Sequence, residues 1–254
     1  MEHLFVSCSD PGKIRRQNED FAGHAINKAA GAELFCVADG MGGYGSGDLA
    51  SRTVVDAIIR EFMAMDNWDW DSAKHRVAGF FSKSLEALGV IKESNNIAST
   101  FGTTLAALVV FQDALIYANV GDTRIYCFDG ENLMQKTHDH TIVNDLLRKK
   151  QISVDKARVH PQKHVLTQAI TGDGIPLAPF IRVEPLSRNH LYLICSDGLY
   201  NMVDENFIRS LFKKSSIFQA REHLLKQAYV NGATDNITFQ IIKPFDSASN
   251  HRFI

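Results

Sequence analysis

Short apolar runs rich in β-branched and aromatic residues punctuate the chain at 4–8, 34–38, 104–111, 115–120, 124–128, 191–195 and 237–242. Each has the length and composition of a buried strand. Only Gln112, Asp113 and Ala114 separate the third run from the fourth, and the fifth follows through Gly121. These three therefore predict an antiparallel meander, which disfavours an all-parallel sheet. Helical spacing runs from Asp48 to about Met65, where Ala50, Val54, Ala57, Ile58 and Met65 form an apolar stripe with Phe62 beside it, opposite Arg52, Asp56 and Arg60. Further helices are predicted from Ser72 to about Glu93, over Thr141–Lys150, and as the pair Asp204–Lys214 and Phe218–Val230. Paired helices between groups of antiparallel strands predict a β-sandwich with helices packed on its outer faces, in one layered α/β domain. No Pro-, Gly- or Ser-rich linker divides the chain, and no internal repeat is visible.

Composition narrows the function. With 254 residues, 45% of them hydrophobic and 22% charged, the chain can bury a full core without disulfides. Lys plus Arg number 27 and Asp plus Glu 29, so the net charge of -2 lacks the basic excess of a nucleic-acid binder. Neither a leader pattern nor a run of about 18 apolar residues is present, which leads us to expect a soluble, cytoplasmic protein with no membrane insertion. Cys8, Cys36, Cys127 and Cys195 lie far apart inside apolar runs without a C-x-x-C pair, as expected of buried free thiols in a reducing compartment.

The informative residues are aspartates at strand ends. Asp39 closes the run at 34–38, Asp122 follows 115–120, Asp197 closes 191–195, and Asp235 precedes 237–242. A carboxylate beside a buried strand is costly unless neutralised. Antiparallel neighbours can bring all four to one rim of a sheet, and Glu19 and Asp20, after the first strand, can reach the same rim. Oxygen donors without a Cys or His pattern select Mg²⁺ or Mn²⁺ over Zn²⁺. Taken singly, each aspartate is equally well explained as a turn or helix cap; together, at equivalent strand ends, they favour a metal site. The stretch Gly40-Met41-Gly42-Gly43-Tyr44-Gly45 also matches G-x-G-x-x-G and raises a dinucleotide-binding alternative. Against it, Asp39 would repel a pyrophosphate, and no parallel βαβ return follows.

The segments 12–20 (GKIRRQNED), 37–51 (VADGMGGYGSGDLAS), 99–109, 118–126 (ANVGDTRIY), 138–141, 160–170, 193–203 (LICSDGLYNMV) and 232–239 (GATDNITF) resemble, in order and over nearly the whole chain, the PPM-type (type 2C) metal-dependent serine/threonine protein phosphatases, in their compact bacterial branch. The resemblance implies an α+β fold, a single domain over 1–254 in four αββα layers, with two antiparallel sheets packed as a sandwich between helix pairs and a flap at about 141–180. It also implies hydrolysis of phosphoserine and phosphothreonine in proteins, opposing a serine/threonine kinase, by a hydroxide that bridges two Mn²⁺ or Mg²⁺ ions and attacks phosphorus. In that pattern Asp39 bridges the ions, the Gly40 carbonyl completes one of them, Asp197 and Asp235 hold the other, and Glu19 and Asp20 act mostly through water. Arg15 matches the arginine that grips the substrate phosphate, whereas Arg16 is expected to be a solvated charge. Asp122, with Asp197, matches a third metal site. Catalysis thus falls to Arg15, Asp39 and Asp197 in a protein expected to act as a monomer.

This sequence departs from the family pattern at several positions. Met41 stands where some members carry a histidine as candidate general acid, so the acid is unassigned. His138 and His140 flank Asp139, but their place before the flap argues against a metal pair. The flap holds LRKKQIS where relatives often have a glycine and AITGD where they often have ALG, so the family pattern does not assign the substrate. A catalytically dead relative acting as a binding module is the alternative, which the full set of expected ligands opposes.

Overall fold

The apolar runs form two antiparallel sheets in the computed structural model, which describes residues 3–42, 46–97 and 101–245. In chain order, β1 (Leu4–Asp10), β2 (Asp20–Asn27) and β3 (Ala32–Gly42) lead into helices α1 (Gly47–Met63) and α2 (Trp70–Ser94). There follow β4 (Phe101–Thr103), β5 (Leu105–Phe111), β6 (Ala114–Val120), β7 (Arg124–Phe128) and β8 (Leu133–Gln135). The stretch expected to be a flap contains α3 (Ile142–Arg148), α4 (Val154–Arg158) and β9 (Ile170–Thr171), and β10 begins at its end (Phe180–Pro185). The chain closes with β11 (Leu191–Cys195), α5 (Asp197–Tyr200), α6 (Glu205–Lys214), α7 (Ile217–Val230) and β12 (Ile237–Lys243).

One sheet has the order β1-β12-β11-β7-β8; the other runs β10-β6-β5-β3-β4-β9, with β2 also paired to β3. Their facing surfaces bury Phe35, Val37, Leu108, Tyr117, Ile125 and Ile194 between the sheets. A second core joins β3, β5 and β6 to α1 and α2 through Val54, Ile58, Phe62, Phe80 and Phe81, and a third joins β11 and β12 to α6 and α7 through Ile208, Phe212 and Leu224. The layers are therefore αββα, an α+β architecture. Central strands covered on both faces have no solvent side, which explains why β5 and β6 are buried at every position instead of alternating. Helix starts follow local chemistry: the Asp69 carboxylate accepts from the Ser72 amide at 2.8 Å ahead of α2, and Ser216 with Gln219 forms a capping box on α7.

The structure corrects the expected meander. β5 and β6 do pair as a hairpin, but β7 leaves for the opposite sheet, where it lies between β11 and β8. The turn Gly121-Asp122-Thr123 makes this crossing. Gly121 has φ +93°, and a Cβ there would meet the Thr104 side chain at 2.5 Å, so only glycine fits. His140 locks the crossing from the other side, its amide donating to the Gly121 carbonyl (2.9 Å) and its Nδ1 accepting from the Gly121 amide (3.2 Å). His140 is thus a structural group, as is His138, which stacks 4.4 Å from Phe180. The helix expected over Thr141–Lys150 is shorter: Thr141 caps it, and Lys150 takes φ +55°, which ends it. All four cysteines are free and buried.

Leu108 stands between Phe35 and Tyr117 in the strand register and is fully buried between the sheets. Leu108→Ala should lower unfolding stability by about 2–5 kcal/mol, read from the urea midpoint at an unchanged slope. A loss under about 1 kcal/mol would mean that this layer is not a close-packed core.

Candidate active site

The rim where strands of both sheets end encloses a cavity of about 620 Å³. Its lining includes Arg15, Glu19, Asp39, Gly40, Asp122, Asp197 and Asp235, seven of the eight residues singled out from the sequence. Asp20, the eighth, lies just behind the wall. It sits directly opposite Asp39 in the β2–β3 register, almost fully buried, and accepts from the Ser196 hydroxyl at 2.7 Å.

Each position follows from the fold beneath it. Asp39 lies near the end of β3, its backbone held by Thr103 and Thr104: the Thr104 hydroxyl accepts from the Asp39 amide, and the Thr103 hydroxyl and Thr104 amide donate to its carbonyl, all at 2.9 Å. Gly40 comes next, where a Cβ would approach the Gly47 carbonyl to 2.0 Å and the Glu19 carbonyl to 2.5 Å. Only glycine lets the end of β3, the start of β2 and the start of α1 meet here. The Glu19 carboxylate accepts from the Gly47 amide at 3.1 Å, at the positive end of α1. Asp197 opens α5 and accepts from the Asn201 amide side chain at 3.1 Å, with His164 Nδ1 3.8 Å away. Asp235 receives the Arg15 guanidinium at 2.8 Å. That contact holds a half-exposed arginine over the cavity mouth, whereas Arg16 is exposed and does not line the cavity.

Gathering these acids raises their affinity for positive charge. Burial first, and then Asp20, Asp197, Asp122 and Asp235, push the Asp39 carboxyl well above the usual carboxylate range. Asp20 is pushed up to about 7 by burial, against the lowering effect of hydrogen bonds from Ser196 and Thr238 and with the repulsion of Asp197 and Asp235. Asp122 also rises to about 7, through burial and then Asp197 and Asp139, opposed by Arg124 and Tyr200. Asp197 is raised by burial and by Asp235. The donors are carboxylates and a backbone carbonyl, which suits a hard divalent cation. Among the described residues, no group of three or more His, Cys, Asp or Glu side chains is already drawn together as a ready metal shell; what the fold provides is a common cavity faced by acids.

Supporting residues escaped the sequence reading. The Asn236 side chain accepts from the Glu19 amide (2.9 Å) and donates to the Pro11 and Gln17 carbonyls (3.0 Å each), tying the loop that carries Arg15 to the strand that follows Asp235. Arg124 forks onto Asp139, with its closest contact at 2.7 Å, and stacks 3.6 Å from the Tyr200 ring, whose hydroxyl donates to Asp122. His164 reaches the site from the flap side. Adjacency to motif residues was the available signal for Asn236 and Arg124; Tyr200 and His164 lie inside the segments 193–203 and 160–170, which give neither a role. The dinucleotide alternative falls, because β3 is flanked by antiparallel partners alone. The last three residues of its motif, 43–45, lie outside the described residues.

Comparison with known proteins gives the family. Residues 15–229 match the sequence profile of the family described as protein phosphatase 2C. The serine/threonine phosphatase stp of Listeria monocytogenes is 33% identical over 244 residues, covering 92% of this chain and 93% of its own. Among solved structures, the serine/threonine phosphatase Stp1 of Staphylococcus aureus superposes with a TM-score of 0.88 at 28% identity, covering 97% of this chain and 96% of that one. The catalytic domain of the serine threonine protein phosphatase PstP, in complex with 2 manganese ions, gives 0.83 at 26% identity, covering 96% and 98%. A profile match over most of the chain, a relative above 30% identity and a shared fold converge: the chain belongs to the protein phosphatase 2C family.

Proposed function

We propose that the chain hydrolyses phosphoserine and phosphothreonine in proteins with the help of divalent ions held by Asp39, the Gly40 carbonyl, Asp197 and Asp235, with Glu19 and Asp20 supporting them largely through water. The observation that carries this reading is the convergence of Asp39, Asp122, Asp197 and Asp235 on one cavity beneath Arg15. Asp122, with Asp197, would hold a third ion. Bound Mn²⁺ or Mg²⁺ would reverse the sign of the cavity, admit a phosphate dianion and make water nucleophilic near neutral pH.

The chain's own groups do the rest. Arg15 offers a planar fork to two phosphate oxygens, and Asp235 fixes its direction before substrate arrives. Arg15 carries the charge a phosphate needs and is already directed by Asp235, so little reorganisation is needed on binding. Thr103 and Thr104 fix the Asp39 backbone at the rim, and the Tyr200 hydroxyl holds the Asp122 carboxylate in the cavity. Met41 lines the cavity and carries no proton to donate. The buried thiols take no part: desolvation pushes Cys8 and Cys127 up to about 11 and Cys36 up to about 12, far from a nucleophilic thiolate. We further propose that the chain acts as one domain with residues 141–180 as its flap, as a cytoplasmic monomer opposing a serine/threonine kinase. No helix among the described residues is long and apolar enough to cross a membrane.

The direct test is turnover of a phosphothreonine peptide and of p-nitrophenyl phosphate with Mn²⁺ or Mg²⁺, abolished by EDTA; turnover that survives EDTA would contradict the proposal. Asp39→Asn should lose both turnover and calorimetric Mn²⁺ binding, while the metal-free variant unfolds no earlier than the metal-free parent, since a repelled buried charge has been removed. Retained Mn²⁺ binding would show that Asp39 is not a ligand. Arg15→Ala should raise KM about tenfold or more, for a lost contact of roughly 1.5–3 kcal/mol, and Arg16→Ala should change it little. Equal effects would place the phosphate grip elsewhere.

A further inference from the structure

A second cavity of about 690 Å³ adjoins the first, and Asp122 and His164 line both. His164 stands on the divide, 3.8 Å from Asp197 on the catalytic side. One wall of the second cavity belongs to the flap, with Arg158 at the end of α4 and Lys163 beyond it; the opposite wall is Tyr200 and the start of α6, Asp204 and Glu205. A chain whose phosphorylated residue occupies the first cavity would meet this space next.

The charges on the two walls are not equivalent. Asp139 is consumed by Arg124. Glu205 accepts from the Tyr126 hydroxyl at 3.0 Å and lies 3.9 Å from Arg124. Asp204 accepts from the Asn206 amide at 2.8 Å and caps the positive end of α6. Each acid on that wall therefore has an internal partner. Arg158 and Lys163 are exposed, and among the described residues neither makes an ion pair or a side-chain hydrogen bond. Among the described residues, the cations of the cavity without an internal acidic partner are thus Arg158 and Lys163, both on the flap wall, in a protein whose net charge is -2.

We infer that this second cavity takes the substrate chain on one side of its phosphorylated residue, and that Arg158 and Lys163 select acidic side chains there. The inference rests on the phosphatase reading and adds a sequence preference to it. A chain bent into the groove turns one flank toward the flap wall and the other away, so the preference is one-sided. Exposed ion pairs are individually weak, so two of them give discrimination of about threefold to tenfold, and salt screens it.

The test compares kcat/KM for phosphothreonine peptides carrying a run of glutamates, alanines or lysines on one flank or the other. Glutamates on a single flank should exceed alanines by about threefold to tenfold at low salt, and the advantage should shrink at high salt. In a variant with Arg158→Glu and Lys163→Glu the order of the glutamate and lysine peptides should invert. That readout is a ratio on one enzyme, in which any loss of folded or metal-loaded protein cancels. Equal kcat/KM for all peptides with the parent enzyme, or an order untouched by the double substitution, would overturn the groove assignment. Turnover of p-nitrophenyl phosphate by the same preparation separates the two levels: peptides not discriminated while it is hydrolysed defeats the groove alone, and no hydrolysis with either metal defeats the phosphatase reading and the groove with it.

Discussion

Mutual repulsion among Asp20, Asp39, Asp122, Asp197 and Asp235 is the constraint on which the rest of this structure depends. Asp20 and Asp39 face each other across adjacent strands, an arrangement that destabilises a sheet when both are charged. Burial is the larger cost and repulsion adds to it, so Asp39 is pushed well above the usual carboxylate range, Asp20 and Asp122 to about 7, and Asp197 upward. A fold built for stability alone would disperse such charges. Here hydrogen bonds hold them in place: Thr103 and Thr104 on the Asp39 backbone, Ser196 on the Asp20 carboxylate, Tyr200 on the Asp122 carboxylate. A site kept electrostatically unsatisfied by its scaffold is suited to a divalent cation.

The sandwich makes that convergence possible. Asp39 comes from one sheet, while Asp197 and Asp235 adjoin β11 and β12 of the other, so the acids meet only where both sheets end together. The Gly121 crossing contributes Asp122 by carrying the chain from β6 to β7 across the same rim. Arg124, the first residue of β7, then closes the circuit through Asp139 and Tyr200 back to Asp122. The inter-sheet core and the chemistry are therefore coupled: separating the sheets separates the acids.

Much of this was legible in the sequence. The strands around 34–38, 104–111 and 191–195 are buried on both faces and so appear as unbroken apolar runs, and helices α1 and α2 carry regular stripes. The aspartates that follow such runs mark the rim without any structure. Less visible were β2, whose DFAGHAIN is interrupted by Gly23 and His24 and is only partly covered, and β10, an edge strand that ends in Pro185. Neither has an apolar period to betray it. The move of β7 to the opposite sheet was hidden because short connections signal a local hairpin, whereas the actual partners of β7 include β11, more than sixty residues later. Tyr200 and His164 support the site through tertiary contacts that no spacing encodes.

The most direct measurement is a crystal structure of the protein grown with Mn²⁺, its ions located by anomalous scattering. Peaks are expected within bonding distance of the Asp39 carboxylate and the Gly40 carbonyl, and against Asp197 and Asp235, at about 2.0–2.6 Å as for hard cations on oxygen. An empty cavity at saturating Mn²⁺, or ions held only by acids away from this rim, would contradict the claim that the repelling carboxylates exist to bind metal.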